Sequence, residues 1–273
     1  MSQLLSRRRF IASTSALCVT SVLIPGMSIA QGTYASETSD LVHFPSQDPD
    51  LVKEMVGVAH GNATRVRELL EDSPALAKAT YDWGYGDWET ALGAASHVGH
   101  REIASLLMTN GARPDIFTFA MFGQLDVVKA YIVANPGIQR THGPHGLTLL
   151  HHARKGGEHA RAVVEYLEQL GDADIGYTSL PLTEEEKRMY TGEYTFGKES
   201  TSALKIAIDK SGSLSIMRQP DGVSRLLYHQ GNHEFHPAGS PAVRIRFQVG
   251  GSQAQSLTIF DGQPTLTAQR VRG

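Results

Sequence analysis

Side chains able to do chemistry gather at three places in this chain. The densest is His229-Gln230-Gly231-Asn232-His233-Glu234-Phe235-His236, three imidazoles and a carboxylate within eight residues. Such a donor set suits zinc or copper. On a strand, however, period two sends His229 and His233 to one face and His236 to the other, and Gly231-Asn232 reads as a hairpin turn. Exposed turn histidines are therefore expected, and no metal ligand is assigned. His142, His145, His152 and His159 form a looser group whose spacing specifies nothing further. The third place is Tyr81-Asp82-Trp83-Gly84-Tyr85-Gly86-Asp87-Trp88, which holds both tryptophans of the chain. Large rigid aromatic groups dominate interface hot spots when exposed. Tyr81, Trp83, Tyr85 and Trp88 are the expected partner-binding residues; the alternative is that Trp83 or Trp88 folds back over the neighbouring helices.

Several enzyme classes find no support. His-Glu-x-x-His, Gly-x-Ser-x-Gly, a phosphate-binding loop and a dinucleotide fingerprint are all missing, so no catalytic residue and no cofactor is assigned. The 273 residues are 41% hydrophobic and 19% charged, the balance of a folded chain. Beyond residue 30 the chain carries 22 basic against 28 acidic residues, a net charge of −6. That balance argues against nucleic acid and against an anionic membrane surface as partners.

The elements that must position these groups are read from periodicity. Between Thr90 and Asp115, Leu92, Ala95 and Ser96 offer one small or apolar face of a short helix, which Gly99 ends. Ile103, Leu106 and Leu107 repeat at i, i+3, i+4 as the apolar stripe of a second helix, stopped by Gly111 and Pro114. This stretch resembles an ankyrin repeat almost position for position. Val52 to Leu70, around Gly61-Asn62, is similar to a first capping repeat. Thr118 to Ile132, and Gly146 to Asp174, resemble two more. The resemblance implies a stack of about four helix-turn-helix units that binds proteins through its concave face and loop fingers. It also places His100 and His151 at positions where the imidazole hydrogen-bonds loop backbone. The matching glycines Gly61, Gly99, Gly123 and Gly157 are 38, 24 and 34 residues apart, against about 33 in a standard repeat.

After Pro181 the pattern changes. Thr183-Glu184-Glu185-Glu186 is a capping box that opens one short helix. Beyond Tyr190 the period becomes two, in runs at Leu204–Ile208, Leu214–Met217, Ser224–Tyr228, Val243–Val249, Ser256–Phe260 and Thr265–Val271, separated by turns such as Pro220-Asp221-Gly222 and Asp261-Gly262. Six to eight antiparallel strands are expected, in a meander sheet or barrel. Leu182-Thr183 with Tyr190-Thr191-Gly192-Glu193-Tyr194, and the Asp-x-x-Gly-x-Leu that follows, resemble the lipocalin-like domain appended to bacterial serine hydrolases of the beta-lactamase class. In that family the domain is accessory, and the Ser-x-x-Lys hydrolase itself is missing here.

Residues 1 to 30 read as an address. Arg7, Arg8 and Arg9 precede an apolar run from Ile11 to Ile24 and the small-x-small site Ser28-Ile29-Ala30. Ser6-Arg7-Arg8-Arg9-Phe10-Ile11 resembles the twin-arginine export motif, which implies a folded bacterial cargo sent to the periplasm. Cys18, the one cysteine, falls inside this segment, so no disulfide is expected in the mature chain.

The expected architecture is thus a signal at 1–30, a leader at 31–48, an ankyrin-repeat α-solenoid of about four repeats at 49–180 and a lipocalin-like antiparallel β domain at 182–273. The expected function is non-catalytic capture of another periplasmic protein. The alternatives are binding of a small apolar ligand by the β domain and, less favoured, a metal-dependent enzyme built on His229, His233 and His236.

Overall fold

The computed structural model describes residues 46–197, 202–220 and 222–271. The export signal expected at 1–30, and all but the end of the leader, lie outside the described residues. Residues 46–273 belong to one compact unit.

Nine short α-helices occupy the first part of the described chain: α1 Pro49–Val58, α2 Ala63–Asp72, α3 Ala91–Val98, α4 Arg101–Thr109, α5 Ile116–Phe122, α6 Leu125–Ala134, α7 Leu149–Lys155, α8 Arg161–Leu170 and α9 Glu184–Tyr190. Local chemistry sets their ends. Asn62, Thr90, Asp115 and Thr148 each accept a hydrogen bond from the backbone N–H three residues on, which satisfies one of the amides a helix start leaves unpaired. Thr183 and Glu186 form the reciprocal capping box at α9. Gly99 and Gly123 end α3 and α5 at φ of 82° and 76°, where a β-carbon would also fall 2.2 Å from the Lys155 carbonyl oxygen and 2.0 Å from that of His159. Only glycine meets both demands.

The regular ankyrin solenoid expected over 49–180 is not what these helices make. They run for only seven to ten residues, scattered among four 3-10 segments. Their apolar side chains divide into two clusters, one around Met55, Leu92, Ile103 and Leu107 and another around Phe117, Val128, Leu149 and Leu167. A solenoid needs a constant period, so that each unit hands the same face to the next. The uneven glycine spacing does not supply one. A two-stranded hairpin, β1 Thr80–Asp82 and β2 Trp88–Thr90, is inserted between α2 and α3, with Tyr81 opposite Glu89.

Eight strands follow: β3 Gly192–Thr195, β4 Ala203–Ile208, β5 Leu214–Gln219, β6 Ser224–Gly231, β7 Glu234–Pro237, β8 Arg244–Gly250, β9 Gln253–Asp261 and β10 Gln263–Arg270. They close as an antiparallel barrel in which every strand pairs with its chain neighbours and β10 returns to β3. Closure removes the free edges that an open sheet would expose. Alternation fills the interior: along β8, Ile245 and Phe247 are buried while Arg246 and Gln248 are exposed. Tyr194, Ile206, Ile216, Phe235 and Leu257 join them. At one end, Tyr190 at the close of α9 packs on Phe235 and Phe247, with ring centroids 4.9 and 5.0 Å apart. Arg270 caps the same end with hydrogen bonds to Met189 O and Ala254 O.

Of the α4 stripe, Leu107 is fully buried and Leu106 only half-buried. Leu107→Ala should therefore cost about 2–5 kcal/mol in denaturant unfolding, and Leu106→Ala clearly less. Equal costs would mean that α4 is rotated from this placement.

Candidate functional site

The end of the barrel opposite α9 faces the β1–β2 hairpin. Three consecutive residues of the hairpin tip, Gly84, Tyr85 and Gly86, have φ of 110°, 62° and 79°. Two glycines take this conformation freely; Tyr85 takes it at a cost of order 1 kcal/mol, which its surroundings must offset. Asp82 Oδ1 accepts from Gly84 N at 2.8 Å and braces the turn. The Tyr85 ring then packs against the barrel's apolar cluster. Between the tip and the barrel mouth lies a cavity of about 600 Å³. Its walls are apolar, from Phe196, Leu204, Val243, Ile259 and Leu266, and its rim carries Asp82, Arg218 and Asp261. Below it the interior is filled by the buried Tyr194, Phe235 and Phe247.

What holds the hairpin there is Asp87, 2% exposed. Oδ2 stands 2.7 Å from His145 Nδ1 and 2.7 Å from Arg225 Nη2 on β6, while Oδ1 accepts from the His145 backbone N–H at 2.9 Å. A β-carbon at Gly239, where φ is 82°, would lie 2.4 Å from Oδ1, so the barrel backbone approaches the carboxylate closely. Burial would raise this carboxyl; the hydrogen bonds and charge of His145, with the Arg225 guanidinium, instead hold it below its usual range. His145 itself sits at φ 60° in the loop before α7.

Behind the hairpin, Glu89 is fully buried. Its Oε2 accepts from Trp83 Nε1 at 2.7 Å and lies 3.6 Å from His60 Nε2. Its Oε1 stands 3.0 Å from His97 Nδ1 and 3.3 Å from His145 Nε2. Burial opposes ionisation, but the His145 and His97 contacts and the field of His60 bring the Glu89 carboxyl down to about 2. For His145 burial works against the cation, yet Asp87 and Glu89 raise it to about 9. His152, on α7 beside this group, is driven down to about 4 chiefly by burial.

Tyr81, Trp83, Tyr85 and Trp88 do lie together on this hairpin, but with different fates. Trp88 is 63% exposed. Trp83 turns inward to Glu89 and sets its ring 5.0 Å from that of Tyr81, both half-buried. His229, His233 and His236 diverge: His233 Nδ1 meets the Tyr190 hydroxyl at 2.8 Å, His236 stacks on Tyr228, and His229 lies against Phe235. Of the looser group, His142 contacts the Ile175 carbonyl and Tyr177, and only His145 reaches the carboxylates. His100 and His151 reach helix backbone rather than the loop backbone expected of them: His100 accepts from Ile103 N as the N-cap of α4, and His151 Nε2 lies 3.1 Å from His97 O on α3. His60, Glu89 and His97 carry no local signal, being 29 and 8 residues apart in the chain. No family model and no curated protein matches this chain.

Two outcomes are expected. Asp87→Asn leaves the Arg225 charge buried without its counter-ion and should cost on the order of 3–5 kcal/mol; a loss under about 1 kcal/mol would mean the pair is solvated. For His152, the folded value of about 4 lies below the usual His value of about 6.5, so the unfolded chain binds the extra proton between them. Its contribution is complete above about pH 6.5 and is lost as pH falls through about 4, up to about 3 kcal/mol. His152→Gln should flatten the pH dependence of unfolding in that window; an unchanged slope would assign the titration elsewhere.

Proposed function

We propose that this protein binds a small amphiphilic molecule at the mouth of its β-barrel, beneath the hairpin tip. The observation that carries the reading is the cavity of about 600 Å³ between Tyr85 and the barrel, within the range of about 300–1,000 Å³ typical of small-molecule sites. Leu204, Val243, Ile259 and Leu266 would take the apolar part of the ligand, and the rim carrying Asp82, Arg218 and Asp261 its polar end. Eight-stranded barrels are just wide enough to hold one small ligand or to be filled by their own side chains. This one is filled toward α9 and open toward the hairpin, so the ligand sits in the mouth rather than deep within. The resemblance of residues 182–271 to a lipocalin-like accessory domain supports the same reading. Protein capture through the aromatic finger has less support, because of its four residues Trp88 alone is largely exposed.

Titration with the fluorescent probe 1-anilinonaphthalene-8-sulfonate tests this. The wild-type chain should show one saturable site, weakened at least about tenfold, roughly 1.4 kcal/mol, by Val243→Trp or Leu266→Arg. Unsaturable binding, or binding indifferent to both substitutions, would rule out the barrel mouth.

A further inference from the structure

We infer that His60, Glu89, His97 and His145 form a structural binding site for a divalent transition-metal ion of the zinc class, independent of the barrel mouth. Each of the four offers one ligand atom, and these atoms all lie within 4.8 Å of one another. Glu89 Oε1 stands 3.0 Å from His97 Nδ1 and 3.3 Å from His145 Nε2, and His60 Nε2 approaches the other carboxylate oxygen at 3.6 Å. A tetrahedral zinc ion with bonds of about 2.0–2.1 Å separates its ligand atoms by roughly 3.3–3.4 Å, so the two spacings from Oε1 already approximate a coordination shell that a small inward shift of His60 would complete.

The outer hydrogen bonds aim the donors inward. His60 Nδ1 lies 3.1 and 3.0 Å from the carbonyl oxygens of Val56 and Gly57. Carbonyls only accept, so Nδ1 carries the proton and, in the neutral ring, Nε2 is the nitrogen with the lone pair. On His145, Nδ1 is engaged by Asp87, which turns Nε2 toward Glu89. A carboxylate or backbone carbonyl behind a ligating imidazole is the recurrent arrangement in metal sites. Trp83 occupies Glu89 Oε2 and leaves Oε1 for the ion.

The independent sign is a pair of buried orphans. Glu89 Oε1 and His97 Nδ1 face each other at 3.0 Å in a contact that lacks hydrogen-bond geometry. Buried polar atoms left without a well-formed hydrogen bond cost free energy, and a cation between them satisfies both. Three imidazoles and a carboxylate suit zinc and its late first-row neighbours rather than calcium or magnesium, which take oxygen ligands. Four protein donors make a closed site, which is structural rather than catalytic. The side chains of His60 and His145 are 32% and 23% exposed, which gives the ion a way in. The ligands come from the turn after α1, from β2, from α3 and from the loop before α7. One ion therefore clasps four segments of the helical part.

The full chain, expressed without an affinity tag and stripped with a chelator, is titrated with zinc(II) and, in parallel, cobalt(II). The expected result is one equivalent bound, the visible absorption of tetrahedral cobalt, and a rise in melting temperature. His60→Asn, at the solvent edge, and Glu89→Gln, near-isosteric and still able to accept from Trp83, should each weaken binding by at least about a hundredfold. Circular dichroism confirms that both variants are folded. A triple variant, His229→Asn with His233→Asn and His236→Asn, should bind as the wild type does. No zinc uptake by the folded wild-type chain would overturn the assignment, as would uptake unaffected in the His60 and Glu89 variants or lost in the triple one.

Discussion

A carboxylate with 2% of its surface exposed must find its counter-charges inside the protein, and Asp87 finds them in two directions at once. His145 meets it from the loop before α7 and Arg225 from the barrel. Desolvating an ion costs several kcal/mol, so a buried carboxylate of this kind depends on opposite charges held close to it. The rest of the arrangement follows from that demand. The hairpin must reach the barrel, the 142–146 loop must bend back with His145 at φ 60°, and the barrel turn must carry glycine at position 239, where a β-carbon would strike the carboxylate.

The hairpin consequently has two working faces. Its tip, with Tyr85, roofs the barrel mouth and leaves the cavity there. Its base, with Trp83 and Glu89, faces α3, a helix whose first seven residues are all buried and which carries His97 into the group around Glu89. Small residues make this approach possible: Ala91, Gly93, Ala94 and Ala95 let the hairpin and the neighbouring helices come close to α3. One inserted loop of eleven residues, 80–90, thus links the two regions where chemistry is concentrated.

Much of the secondary structure was legible. Period-two runs locate six of the eight barrel strands and miss the four-residue β3 and β7, too short to show a period; the capping box at Thr183 opens α9, and the apolar stripes locate the helices before it. Closure of the eight strands depends on β10 meeting β3, a long-range pairing that no local pattern encodes. The ankyrin pattern around Thr90 to Asp115 is a local signal as well; it describes one helix pair and says nothing of whether the loops between pairs keep a constant length. The aromatic residues expected on a loop stand on a β-hairpin, with Tyr81 on β1 and Trp88 on β2, and their exposure is not legible in the sequence, because Trp83 turns inward to donate to the Glu89 carboxylate. Density of histidines in sequence marks no site either: period two already sets His229 and His233 on the face opposite His236, and the departure from the exposed turn expected there is that His236 is buried on β7. His229, His233 and His236 are close in sequence and face apart, whereas His60, His97 and His145 are far apart in sequence and face together.

If the Asp87 node governs the structure, the helical part and the barrel should open as one cooperative unit rather than as two domains. Native-state hydrogen exchange read residue by residue tests this most directly. The account predicts that core amides of α3 and α7, and those of β8 and β9, share one opening free energy and lose protection together as denaturant is raised. A barrel that keeps its protection after the helices have exchanged would contradict it, and would leave the hairpin as a contact between separately stable parts.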